Sequence, residues 1–380
     1  MNFDSLKILL SILSGQPPAG ETLIKQDWEK MIAYAQWNRV APLLYLRLSE
    51  ENRLNSLPVH HARKLKFISR QASIRSLHFE NECTEVIRIL SSKGIRVIVI
   101  KGMALARLSY PSPSCKPMID VDLLIEPQQI ENAYALLKQY GRSVDFFSNK
   151  FREKIHQHFP PVLINGIPFE LHRHITPSHV KSYIPVEELW KAPQDFKIGD
   201  APCLMLQSEY FLFNLVDHLS RHLTSKHIRL IWLFDIVFYL KSNQNTIDWQ
   251  RFHSILESTG NNRQILVTIA LLNELLAINL PVEVAGSCMK DAKILASDLL
   301  ALSSPYNASL NIGSFHAVRG LSLADKLNFF LSKLFPAKKY LKARFGLKSD
   351  FRAFFYYPVI HMNYLVKGFR VIMAKFEGTK

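Results

Sequence analysis

The chain has 380 residues, 48% hydrophobic and 21% charged, which is ample for a large buried core and excludes a disordered or low-complexity protein. Its 47 basic and 32 acidic residues leave a formal charge of +15. That surplus favours an anionic partner but says nothing about fold.

The first ninety residues read as helices. Leu6, Leu9, Leu10 and Leu13 fall on one face at helical spacing. A second helix is expected from about Asp27, with Trp28, Met31, Ile32 and Ala35 as its buried stripe, and a third over 41–49. Residues 60–92 read as one long helix or two, closed by Gly94. The pattern then changes. IRVIVI (95–100) is β-branched and bounded by glycines, so it predicts a strand. A short helix over 103–108, the proline-rich loop YPSPSCKP (110–117) and a second strand, IDVDLLI (119–125), follow. Pro127 suits the first turn of a helix to about Gln139. Asn165-Gly166, between apolar runs 159–164 and 167–174, predicts a hairpin. From 205 to 330 helices return, and IRLIWLFDIVFYLK, apolar nearly all round, predicts a buried central helix.

The expected organisation is a helical region over 1–93, a small mixed α/β unit over 94–175, a helical domain over 176–332 and a basic, aromatic-rich tail over 333–380. The expected fold class is α+β, a small mixed sheet flanked by helices on both sides. The tail has eleven Lys/Arg against Asp350 and Glu377. Its aromatics can simply pack on the helical domain, or the segment can contact an anionic membrane surface or RNA.

Cys83, Cys115, Cys203 and Cys288 lie far apart with no zinc-type spacing, which points to free thiols in a reducing compartment. The N-terminus lacks the features of a signal peptide, and no run reaches about 18 uninterrupted apolar residues. A cytoplasmic location is expected, either free or peripheral to the membrane.

The chemistry concentrates in residues 97–127. Asp120 and Asp122 stand at i and i+2 of a predicted strand, so their carboxylates share a face and repel unless a cation lies between them. Such hard oxygen donors suit Mg²⁺. The bland alternative is an edge strand with two solvated aspartates. Lys101-Gly102 ends the preceding strand, where glycine lets a phosphate approach and Lys101 can pair with it. Glu170, in IPFELHRHI, alternates with Phe169 and Leu171. If its strand neighbours the D-x-D strand, Glu170 completes a carboxylate triad. His172 lies on the same face. In the helical domain, His218 and His222 share a helix face, near Arg229 and Asp235. That spacing can bind zinc but lacks a metalloprotease glutamate; a buried structural contact or a pocket lining are the alternatives.

IKG at 100–102, YPSP at 110–113, KPMIDVDLLI at 116–125 and ELH at 170–172 together resemble the uncharacterised nucleotidyltransferase family of the DNA polymerase beta-like superfamily. QDWEKMIAYAQWNRVAPLLYLRL (26–48), HLSRHLTSKHIRLIWLFDI (218–236) and IDWQRF (247–252) extend the resemblance over most of the chain. It implies metal-dependent transfer of a nucleoside monophosphate from an NTP to an acceptor. Asp120 and Asp122 would then hold Mg²⁺ or Mn²⁺, with Glu170 as third ligand or general base. Gly102 would lie against the triphosphate beside Lys101, and His172, His218, Arg229 and Asp235 would be second-rank site residues. Met103 stands where the superfamily commonly has a serine, as is usual in this subfamily. Lys116 stands where the family has an arginine, keeping the charge but losing the bidentate fork. The acceptor is open: a small molecule, a sugar, a peptide or an RNA end. Two other readings stay open, a degenerate member acting as a binding module for membrane or RNA, and a tRNA-modifying toxin of the same superfamily.

Overall fold

The computed structural model describes residues 3–16, 20–143, 157–176, 184–224, 228–259, 262–276, 288–304, 355 and 357–358. His227 and nearly all of the basic tail lie outside the described residues, and so do the readings that rest on them.

Helices α1 (Phe3–Ser14), α2 (Gly20–Ile24), α3 (Trp28–Trp37) and α4 (Ala41–Glu50) lead into one continuous helix, α5 (Val59–Ser91). Asp27 caps α3, its carboxylate accepting from the Lys30 N–H at 3.1 Å. The mixed unit runs β1 (Val97–Ile100), α6 (Gly102–Leu108), β2 (Val121–Ile125), α7 (Ile130–Leu137), β3 (Arg142–Ser143), β4 (Val162–Ile164) and β5 (Ile167–His172). It continues through α8 (Val186–Trp190), β6 (Gln194–Ile198) and β7 (Ala201–Met205). The remaining helices are α9 (Ser208–Thr224), α10 (Leu230–Asn243), α11 (Trp249–Ser258), α12 (Asn262–Leu276), α13 (Met289–Ser297) and α14 (Leu299–Leu302). The protein is therefore α+β, and among the described residues seven strands form one mixed sheet in the order β3-β4-β5-β2-β1-β7-β6.

The expected hairpin is the β4–β5 turn. Asn165 and Gly166 both have positive φ, 46° and 83°, as a two-residue turn matched to strand twist requires. The β6–β7 pair was not foreseen. β7 runs parallel to β1, a long-range pairing that local pattern does not announce, while β6 closes the sheet edge.

The D-x-D segment differs in one respect. A strand is expected from Ile119, but β2 begins at Val121, so Asp120 sits on the turn entering it. The chain just upstream has other partners. Pro117 has no N–H to give a ladder, and the Met118 carbonyl accepts from Arg75 Nε at 3.3 Å.

Helix α5 packs on β1, β6 and β7, while α6 packs on β1 and β2 and against α10. On β5, Phe169 and Leu171 are fully buried, each worth about 1.5–3 kcal/mol of transfer free energy, and this anchors the register. α10 is buried from Leu233 through Leu240, as its composition predicts. All four cysteines are buried and unbridged. Among the described residues no helix is long and apolar enough to cross a membrane.

Candidate active site

The site lies where β1 ends and β2 begins, beside the second half of β5. β2 and β5 are parallel, and their register sets Asp122 directly opposite Glu170. β1 is antiparallel to β2 and brings Ile100 opposite Asp122, so Lys101 leaves the sheet beside the carboxylate. Alternation on β5 sends Phe169 and Leu171 into the core and keeps Glu170 and His172 together.

These side chains converge. Lys101 Nζ donates to Asp122 Oδ1 at 2.9 Å, and His172 Nε2 donates to the same oxygen at 2.6 Å. His172 Nε2 also lies 3.7 Å from Glu170 Oε2, which His158 Nε2 approaches at 3.6 Å. Ligand atoms of Asp122, Glu170 and His172 all fall within 4.8 Å of one another. Asp120, expected in this group, stands one turn residue outside it, but close enough to repel both carboxylates.

The charges divide accordingly. Burial works to raise the Asp122 carboxyl, yet Lys101 and the His172 hydrogen bond hold it well below the usual range. Burial opposes ionisation of Glu170 too, and His172 and His158 together bring it below its ordinary value. Burial and Lys101 disfavour charge on His172, but its bonds to Asp122 and Glu170 win and raise it. Asp120 goes the other way. Burial, then Asp122 and Glu170, push it up to about 7, and Lys101 and Arg39 offset only part of that.

Two cations here have unusual backbones. Lys101 has φ 54° and ψ −123°, and Arg39, in the α3–α4 connection, has φ 59°. Neither is glycine, so both carry strain of the kind that concentrates at functional sites. Arg39 is the residue that sequence reasoning missed. Its half-buried guanidinium makes no ion pair or hydrogen bond among the described residues, but it feels Asp120 and Asp235. The Asn38 side chain accepts from the Leu230 N–H at 3.0 Å, tying the end of α3 to the start of α10 and fixing Arg39 in place. The signal was the Asn-Arg pair that ends α3. His158, brought in by an isolated bridge to His172, carried no local signal.

The other expected site residues sit in supporting positions. Gly102 opens α6 under Met118, and a Cβ there would lie 3.3 Å from Met118 Cγ. Lys116 Nζ pairs with Asp235 Oδ2 at 2.9 Å, both buried, and Tyr110 donates to Asp235 Oδ1 at 2.6 Å. This network clamps the proline-rich loop to α10. Arg229 stacks over Trp37 at 4.5 Å and donates to its carbonyl; burial, then Arg39, push it down to about 10. His218 borders the site. Burial lowers it well below its ordinary value, with His222 and Lys101 adding to this and Asp122 opposing. His222 stacks on Trp232 at 4.0 Å, and the histidine pair forms no three-ligand group among the described residues.

The family profile described as uncharacterised nucleotidyltransferase matches residues 25–277, from α3 through the end of α12. No curated protein matches the chain.

Proposed function

The chain belongs to the uncharacterised nucleotidyltransferase family, and from that premise we propose that it transfers a nucleoside monophosphate from an NTP to a hydroxyl acceptor, releasing pyrophosphate. One observation carries this reading: the parallel register that sets Asp122 against Glu170, with His172 joining both.

The donor set fits a divalent cation. Asp122 and Glu170 offer hard oxygens, and Asp120, raised first by burial and then by these two carboxylates, lies near enough to join them. Asp120, Asp122 and Glu170 would hold Mg²⁺ or Mn²⁺, which when bound supplies charge neutralisation for the triphosphate and lowers the pKa of an acceptor hydroxyl. The chain's own residues do the rest. His172 keeps the two strand carboxylates ionised and fixed. Lys101 gives Asp122 its counter-charge at rest and can pair with a phosphate oxygen instead. In the transfer, the acceptor oxygen bonds to the α-phosphorus as the bond to the β-phosphate oxygen breaks. The acceptor proton goes to an ionised carboxylate of the cluster, and Glu170, held below its ordinary pKa by His172 and His158, is suited to take it.

A competing reading is a binding module on a transferase fold. Its support is that Lys101 and His172 already neutralise Asp122 internally. Incubation with α-phosphate-labelled ATP, GTP, CTP and UTP, Mg²⁺ and cell extract separates the two. Label that becomes attached to an acceptor, and that Asp122→Asn abolishes, supports transfer. An absence of label with all four nucleotides favours the module.

A further inference from the structure

A cavity of about 540 Å³ opens between the α3–α4 connection, helix α5 and the loop before β2. Ala41, Pro42, Ile68, Ala72, Ile74 and Pro117 give it aliphatic walls, with Gln36, Gln71 and His78 as polar points among them. Two arginines frame it. Arg39 is one, and Pro117, in the same lining, lies three residues before Asp120, so the cavity adjoins the segment that carries the first carboxylate. Arg75 is the other; its Nε is held by the Met118 carbonyl, and its side chain is otherwise exposed.

Ile74 lines the cavity, and on the same helix Phe67 and Leu77 are also exposed, the three at 63%, 63% and 62%. From Val59 to Phe79 the same helix carries five Lys/Arg and no acid. Apolar walls within a cationic frame select a ligand with an aliphatic body and an anionic group.

We infer that this cavity binds the hydroxyl acceptor, and that the acceptor is a small aliphatic molecule bearing an anionic group. Arg75 and its neighbours on α5 hold the anion, the aliphatic walls hold the body, and the hydroxyl is directed past Arg39 to Asp120. The assignment rests on the transferase reading above and specifies its second substrate.

Calorimetric titration of the full chain tests it, with 10-hydroxydecanoate as probe, decane-1,10-diol as its neutral counterpart and a short single-stranded RNA as the competing class. An ATP, GTP, CTP and UTP panel with Mg²⁺ runs alongside. The expected result is binding of the hydroxy acid, about tenfold or more weaker binding of the diol, and no RNA binding. Ala72→Phe fills the cavity, and Ile74→Glu, at an exposed position that folding tolerates, adds a repelling charge. Each should weaken the hydroxy acid by about tenfold or more while nucleotide affinity changes by less than about twofold. No hydroxy-acid binding, binding that neither variant alters, or RNA binding that both variants block would overturn the assignment. Failure of the transferase reading looks different: the unsubstituted chain would bind no nucleotide. In that case hydroxy-acid binding would leave the cavity a ligand site but remove its role as acceptor site.

Discussion

His172 Nε2 lies 2.6 Å from Asp122 Oδ1 and 3.7 Å from Glu170 Oε2, one imidazole serving two carboxylates on neighbouring parallel strands. Its Nδ1 faces the His174 carbonyl at 3.4 Å, so both ring nitrogens meet acceptors and the imidazolium is favoured. With Lys101, this ring keeps the two strand carboxylates ionised.

His172→Gln should therefore destabilise the protein in a pH-dependent way. The folded pKa of His172 is raised, so its contribution is complete below about pH 6.5 and is lost as pH rises through the folded value. Denaturant melts at pH 5.5 and pH 9 should show the variant about 1.5–3 kcal/mol less stable at the lower pH and closer to the parent at the higher. An equal loss at both pH values would mean that the ring acts only by packing.

Asp120 predicts the opposite trend. Its pKa is raised from 3.8 to about 7, so the fold favours the neutral acid and stability falls as pH rises between those values. Asp120→Asn removes that fall. The variant should match the parent near pH 4 and exceed it above pH 7, the gap opening by at most about 1.4 kcal/mol per pH unit. Its nucleotidyl transfer should drop by about 10²-fold or more, separating stability from function. A gap that does not change with pH would contradict the charge crowding at Asp120.

Lys101 holds φ 54° and ψ −123°, a conformation that glycine adopts freely. Lys101→Ala and Lys101→Gly both delete the ion pair to Asp122, but only glycine relieves the backbone. Lys101→Gly should be the more stable of the two by about 1–3 kcal/mol, and both should bind nucleotide more weakly than the parent. Equal thermal stability of the two variants would argue that no strain is stored there.

The Lys116–Asp235 pair is predicted to act by holding the 110–117 loop. Asp235→Ala leaves a buried ammonium unpaired and should cost about 3–5 kcal/mol. Adding Lys116→Met should recover much of that loss. If instead Asp235→Ala leaves the melting temperature unchanged but abolishes nucleotide binding, the pair belongs to the substrate site.

Much of the site could be read from the sequence because its signals are local. A β-branched run bounded by glycines marks β1, the apolar run IDVDLLI marks β2, Asn165-Gly166 marks the hairpin, and alternation in IPFELH puts Glu170 and His172 on one face. What the sequence could not supply is long-range. The pairing of β2 with β5 turned a conditional triad into a defined cluster, and it brought His172 rather than Asp120 into the closest group. Arg39 comes near Asp120 through long-range packing, to which the Asn38–Leu230 contact, joining residues 192 positions apart, contributes. Asp120 left the strand because Pro117 and the Arg75–Met118 bond end the ladder early, a contact made by a helix more than forty residues upstream.

The most direct test is a thermal-shift panel of ATP, GTP, CTP and UTP, with and without Mg²⁺, on the parent chain and on Asp122→Asn/Glu170→Gln. A nucleotide at about 100 times its dissociation constant should stabilise the chain by about 2.7 kcal/mol. The account predicts a shift that requires Mg²⁺ and disappears in the double variant. A shift of equal size without the metal, or one that survives the loss of both carboxylates, would contradict it.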